Sequence, residues 1–161
     1  GEVISKSPLN MKGYWNRPDA TEEAIKDGWF YSGDAGFFDD EGYLYIHDRV
    51  KDMIVSGGEN IYPAEVENAL MSHPEIADAA VIGVPDDKWG ESVKGFVVLQ
   101  PDSSLDETEI ISYTRTQIAG YKCPKTINFI EALPRNPSGK ILRRELREPF
   151  WEGKDRMVSG N

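Results

Sequence analysis

The stretch Asp48-Arg-Val-Lys-Asp-Met-Ile-Val-Ser-Gly-Gly-Glu-Asn-Ile-Tyr-Pro63 decides how this chain divides. Arg49, Lys51 and Asp52 place charges of both signs directly before the apolar run Met53 to Val55, which suits an exposed pivot better than the start of a buried strand. Ser56-Gly57-Gly58 then breaks the strand, because adjacent glycines accept positive φ and let backbone approach a ligand or another chain closely. Pro63 fits the first position of a helix, where its missing N–H costs nothing. Val66, Ala69 and Leu70 supply the i, i+3, i+4 stripe behind it. The chain therefore divides into residues 1–48, a joint at 49–52, a second body at 53–150 and a tail at 151–161.

Composition bounds the rest. A chain of 161 residues is long enough for one ordinary domain, or for one domain of about 100 residues and a piece of another. With 39% hydrophobic and 29% charged residues it reads as a soluble globular protein rather than a disordered one. No apolar run approaches the roughly 18 residues that span a bilayer, and no signal peptide opens the chain. The single Cys123 excludes an internal disulfide and agrees with a cytoplasmic location. His47 and His73 have no Cys or His partner at ligand spacing, so no metal site is expected. The net charge of -10 argues against nucleic acid as a partner. That charge is uneven, with 23 acidic against 9 basic residues up to Tyr121 and 9 basic against 5 acidic from Lys122 onward. A basic final quarter on an acidic chain suits one local site for an anionic small molecule, or a basic helix solvated on its surface.

Taken in order, Gly1 to Ser7 begins with the alternation of a strand, Thr21 to Lys26 reads as a short helix capped by Thr21, and residues 28–36 read as a strand ending at Asp34. Phe37 to Ile46 forms a hairpin about Asp39-Asp40-Glu41-Gly42. These pieces alone offer little to bury. Beyond the helix at Pro63, strands are expected over Ile76 to Val84, Ser92 to Leu99 and Thr126 to Ile130. A helix opens on a capping box at Ser104-Leu-Asp-Glu107 and closes at Gly120, and a short basic helix covers Ile141 to Glu148. The fold class is α+β, a small, mainly antiparallel sheet with flanking helices, preceded by a β-rich segment.

Three groups of residues carry chemistry. Asp34, bracketed by glycines, can accept both hydroxyls of a ribose or simply satisfy turn backbone. Trp89, and Tyr121 beside Lys122 and Lys125, would suit a nucleotide, with rings stacking on a base and ammonium groups meeting phosphate. In Leu133-Pro-Arg-Asn-Pro-Ser-Gly-Lys140, Pro137 and Gly139 fix a tight turn and Lys140 emerges just before a helix. This is not a P-loop, whose glycine spacing and following Ser or Thr are missing.

These motifs together resemble the adenylate-forming acyl-CoA synthetases, the superfamily that also holds luciferases and peptide-synthetase adenylation domains. The likeness rests on Arg49, Lys51 and Asp52 at the hinge, the Gly57-Gly58-Glu59-Asn60-Ile61 run with Pro63, Glu65, Val66 and Glu67, the Gly28 to Gly36 ribose string, and the Lys140 signature. It covers essentially the whole chain, as the family's last third. It implies that residues 1–48 end a large N-terminal adenylation domain, that 49–52 are a hinge with Lys51 absorbing the dihedral change, and that 53–150 are a mobile C-terminal domain.

By resemblance, Lys140 is the catalytic lysine, Asp34 and Arg49 bind the ribose of ATP or AMP, and Gly57, Gly58, Glu59, Trp89, Tyr121, Lys122 and Lys125 lie where coenzyme A docks. Cys123 falls at a place where some relatives carry a basic residue. The implied reaction activates a carboxylic acid as acyl-AMP and passes it to coenzyme A; the ending Leu146-Arg-Glu-Pro-Phe-Trp151 resembles that of bacterial fatty-acyl or aryl-acid CoA ligases, and a fatty acid is the expected substrate. ATP, Mg²⁺ and coenzyme A are the implied cofactors, and the upstream domain and the acid the implied partners. Since the phosphate loop and acyl pocket would lie upstream of Gly1, the chain alone is expected to be inactive. The alternatives are a peptide-synthetase adenylation domain, a luciferase-like oxidase, and a non-catalytic nucleotide or coenzyme A module. A membrane role is not expected, since the basic helix with Phe150 and Trp151 is too short to anchor on a lipid surface.

Overall fold

The computed structural model describes residues 1–153, and the tail expected at 151–161 lies outside them beyond Gly153. The chain forms two compact units, Gly1–Lys51 and a second beginning at Asp52.

In the first unit, β1 (Glu2–Ser5), β2 (Ile25–Lys26) and β4 (Leu44–Arg49) all pair antiparallel with the ten-residue β3 (Trp29–Phe38). Asp34 therefore sits inside a strand rather than at its end. The helix α1 runs Pro18–Ala24, earlier than expected, with Pro at its start. The fixed φ of Pro18 nucleates it, and Thr21 is not the cap but lies inside the first turn. Its hydroxyl donates to the Arg17 carbonyl at 2.7 Å and accepts the Tyr14 N–H at 2.9 Å. Ala35 is the only buried hydrophobic residue of this unit.

A 3₁₀ turn at Val50–Asp52 leads into β5 (Ile54–Ser56) and β6 (Glu59–Ile61). The two form a hairpin whose turn residues Gly57 and Gly58 have φ of 61° and 87°. Positive φ at both positions is the type I′ requirement. The glycines thus join two strands, and β6 is an element that the apolar pattern did not reveal. Helix α2 (Pro63–Met71) follows, with Pro63, Val66, Ala69 and Leu70 buried. Strands β7 (Ile76–Asp86) and β8 (Gly90–Leu99) pair antiparallel along their length, and β9 (Thr126–Phe129) adds to β8 in parallel.

Helix α3 (Glu107–Gln117) is closed by a capping box, but between Asp106 and Glu109 rather than Ser104 and Glu107. That later start puts Leu105 and Ile110 at the hydrophobic-staple positions, and both pack in one core cluster. The helix ends at Gln117, with Ile118 already extended, before Gly120 is reached. The last helix, α4, runs Arg143–Trp151, two residues later than expected at its start, with Pro149 inside it.

The sheet of the second unit is covered on both faces. Ala79, Val81, Val93 and Val97 join α2 and α3 in one cluster, while Ala80, Ile82 and Phe96 join Leu133 and, through Leu146 and Phe150, α4 in another. Consecutive residues of β7 thus alternate between two cores, which is why Ala79 to Ile82 is apolar without a break.

Candidate functional site

Lys140 stands at the end of a loop closed on itself. Asn136 Oδ1 accepts the Ser138 N–H at 3.0 Å, the Ser138 hydroxyl at 2.8 Å and the Lys140 N–H at 2.9 Å. The Asn136 and Gly139 N–H groups donate to the Lys140 and Asn136 carbonyls, both at 2.9 Å. Both backbone polar groups of Lys140 are thereby used, while its side chain is exposed to solvent. The Arg135 guanidinium adds a brace, donating to the Gly139 carbonyl and to Asp78 Oδ2, each at 2.6 Å. The sequence motif marks the lysine, whereas Asp78 in β7 carries no local signal.

In the first unit, Asp34 and Arg49 are directly paired across β3 and β4. Arg49 Nε lies 2.8 Å from Asp34 Oδ1, with about half the arginine side chain and a third of the aspartate exposed. This places a carboxylate and a guanidinium side by side at one half-open spot, a donor and acceptor set suited to a ribose diol.

The glycine hairpin and Trp89 form a third group. The Gly57 N–H donates to the Trp89 carbonyl at 2.8 Å, and a Cβ at Gly57 would lie 2.7 Å from the indole ring, so only glycine fits without displacing it. The ring is 42% exposed, and the Lys88 ammonium stands 4.5 Å from its centroid. Beneath it, the buried Glu91 carboxylate accepts the Val55 N–H at 3.0 Å and fixes β5 against β8. Glu59 is exposed on β6, and Lys51 is exposed in the 3₁₀ turn.

Tyr121 is half exposed, with the Lys122 ammonium 5.8 Å from its ring. That ammonium is already engaged, for Glu65 at the start of α2 accepts from it at 2.6 and 2.8 Å. The hydrogen bond to Glu65 raises the lysine pKa above its usual value. Any phosphate at Lys122 therefore competes with Glu65, whereas Lys125 is exposed. Cys123 points inward, its thiol donating to the Ala119 carbonyl, and burial pushes its pKa up. Among the described residues no group of three or more His, Cys, Asp or Glu is placed to hold a metal ion, and no helix is long and apolar enough to cross a membrane.

Residues 65–140 match the family model of the AMP-binding enzyme C-terminal domain. The chain is 53% identical over 150 residues to a long-chain-fatty-acid–CoA ligase, FadD13, of Mycobacterium tuberculosis, covering 93% of this chain and 30% of that protein. It is 48% identical over 159 residues to ScoC, a fatty acid–[acyl-carrier-protein] ligase of Streptomyces coeruleorubidus, covering 99% of this chain and 31% of the relative. In structure it is similar to the o-succinylbenzoate CoA synthetase of Bacillus subtilis in complex with its acyl-adenylate intermediate, at a TM-score of 0.84 and 45% identity over 91% of this chain and 30% of that one. The chain thus spans less than a third of the length of each of these relatives.

Proposed function

Because the chain belongs to the adenylate-forming AMP-binding enzymes, whose C-terminal domain it carries, we propose that it serves as the C-terminal part of an ATP-dependent acyl-CoA synthetase. The acid is a fatty acid, the class that the names of both sequence relatives carry. The observation that carries this reading is Lys140, whose backbone is locked by Asn136 while its side chain reaches into solvent. Such a lysine can project an ammonium from a fixed base.

A carboxylate is a poor acyl donor because its leaving group would be oxide, and exchange of that group for AMP makes thiol attack feasible. When carboxylate oxygen meets the α-phosphate of ATP, negative charge crowds both partners. The Lys140 ammonium, held near both oxygens, stabilises that transition state more than the ground state. Asp34 accepts from the ribose hydroxyls and Arg49 orients its carboxylate. Mg²⁺ would enter with the ATP phosphates, which it neutralises, and the described residues supply no cluster of their own for it. For the second half-reaction Lys51 takes up the change in backbone dihedrals. Gly58, which faces open space, then leaves room for the pantetheine arm, Gly57 seats the Trp89 ring that flanks it, and Glu59, Tyr121, Lys122 and Lys125 line the coenzyme A approach.

A carrier-protein thiol is the second reading for the acceptor, favoured by the likeness to ScoC. One hybrid tests both. Residues 1–161, joined behind the upstream part of FadD13 in place of its matching segment, should give acid-dependent ATP–pyrophosphate exchange and acyl-CoA. Lys140→Ala in that hybrid should lower exchange by about 10²- to 10³-fold, the scale of losing one preorganised electrostatic contact. Exchange by residues 1–161 alone, or exchange in the hybrid indifferent to Lys140, would overturn the reading. Acyl transfer to a carrier protein but not to coenzyme A would move the acceptor to the second reading.

A further inference from the structure

We propose that Asp78 and Arg135 are positioning residues for Lys140, acting as a brace that ties the lysine loop to strand β7. The inference rests on the catalytic reading of Lys140. Its basis is the double engagement of one guanidinium: Nη2 meets Asp78 Oδ2 and Nη1 meets the Gly139 carbonyl, both at 2.6 Å. Gly139 has φ of 83° and immediately precedes Lys140, so the peptide that Arg135 grips is the one that aims the lysine. Asn136 closes the loop internally, but it lies within the same loop and cannot fix it against the sheet. Leu133 and Ile141, on either side of the loop, pack against the Ala80 and Ile82 cluster, and within the loop the Arg135 to Asp78 ion pair adds a polar link to β7.

The partners are well chosen for it. A guanidinium presents its donors in a rigid planar fork, so binding Asp78 with one nitrogen predetermines where the other points. A lysine at 135 would make either contact but not fix both. The Asp78 end is set in turn: its Oδ1 accepts the Ala79 N–H at 3.0 Å, and Ala79 is buried in the core of the second unit. The brace therefore runs from core strand to carboxylate to guanidinium to the peptide before Lys140. Both side chains are partly exposed, 41% for Arg135 and 29% for Asp78, so the pair adds little to global stability. Its consequence is directional.

The test separates direction from stability. In the hybrid described above, Asp78→Asn and Arg135→Gln should each lower ATP–pyrophosphate exchange by about 10- to 100-fold, the cost of a misplacement of about 1 Å. Thiol attack on chemically supplied acyl-adenylate, a step that does not use Lys140, should stay within about twofold. The double variant should lose no more than Arg135→Gln alone, since Asp78 acts only through Arg135. Arg135→Lys should recover only part of the exchange. In residues 1–161 alone, both variants should leave the urea midpoint unchanged while amide exchange at Gly139 and Lys140 quickens. Equal loss in both half-reactions would reduce the pair to a structural role and sink the proposal, as would unchanged exchange rates in a hybrid where Lys140→Ala is inactive. A hybrid in which Lys140→Ala retains full exchange would instead refute the catalytic reading beneath it, and faster amide exchange in the variants would still report the brace itself.

Discussion

Two adjacent glycines in the β5–β6 turn have unequal reasons to be glycine. Both hold positive φ, at a cost of roughly 1–2 kcal/mol for a residue with a Cβ, but only at Gly57 does a Cβ meet the Trp89 ring; Gly58 faces open space. Gly57→Ala should therefore destabilise the unit and shift the Trp89 indole NMR signal, while Gly58→Ala should cost the strain alone and leave that signal in place. If both variants shift it equally, the Trp89 contact has no special role. Two lysines show opposite linkage with pH. Burial lowers the pKa of Lys94 below the usual 10.5, although its ammonium donates to Thr126 Oγ1 at 3.0 Å and lies 5.1 Å from the Phe150 ring. The folded state disfavours its proton, so its contribution to stability improves as pH rises from the lowered folded value to 10.5. Lys122, raised by Glu65, contributes stability that is complete below 10.5 and is lost as pH climbs through its higher folded value. Urea midpoints followed as pH is raised should lose their rise below 10.5 in Lys94→Met and their fall above 10.5 in Lys122→Met. Midpoint curves parallel to the wild type in both variants would contradict the assignment.

Helix α4 has a sharper role at the scale of elements than a solvated basic face. Arg147 Nη2 holds Asp52 Oδ1 at 3.0 Å, Arg143 Nη2 holds Glu67 Oε2 at 2.7 Å, and all four side chains are less than a fifth exposed. Glu67 Oε1 also accepts the Val81 N–H at 2.8 Å, and Trp151 Nε1 donates to the Gly83 carbonyl at 3.0 Å. An edge strand offers unpaired backbone groups, and here side chains from α2 and α4 satisfy two of them on β7. Asp52→Ala strands the Arg147 guanidinium, whose Nε is already buried without a partner, and should cost about 3–5 kcal/mol in urea unfolding. A cost under about 0.5 kcal/mol would place the pair in the class of ordinary surface ion pairs. This docking was only half legible in the sequence. The apolar periodicity behind Pro63 and along β7 and β8 gave α2 and the sheet, because those residues bury by local pattern alone. The β6 strand escaped because its three residues Glu59 to Ile61 are mostly polar and pair through backbone. The true capping box escaped because two boxes fit the string and only the staple to Ile110 chooses between them. Similarly, the Lys140 and Asp34 motifs stand out as strings, whereas Asp78 and Glu65 act on residues 57 positions away, a separation that no single-sequence pattern encodes.

The two units differ in how they earn stability. Every residue of both buried core clusters lies beyond Asp52, whereas residues 1–51 bury Ala35 and leave Trp15 97%, Phe38 69% and Tyr45 51% exposed. Their sheet rests on backbone pairing and on surface contacts such as the Phe37 to Tyr45 stack at 5.4 Å. A sheet of this size without a buried face is marginal in water, and stability in one chain need not be uniform. Amide exchange should thus divide at the 3₁₀ turn, with β1 to β4 exchanging through openings of low free energy and β7 and β8 exchanging at the global limit. Residues 52–161, made separately, should keep the urea midpoint and slope of the second unit, because removing residues 1–51 removes none of its core. Uniform protection across both units, or loss of cooperative unfolding in the shortened chain, would show that the first unit supplies stability that its own burial does not reveal. Agreement would make the charged joint a boundary of folding as well as of sequence, since Asp52, gripped by α4, is then the first residue that the stable unit holds.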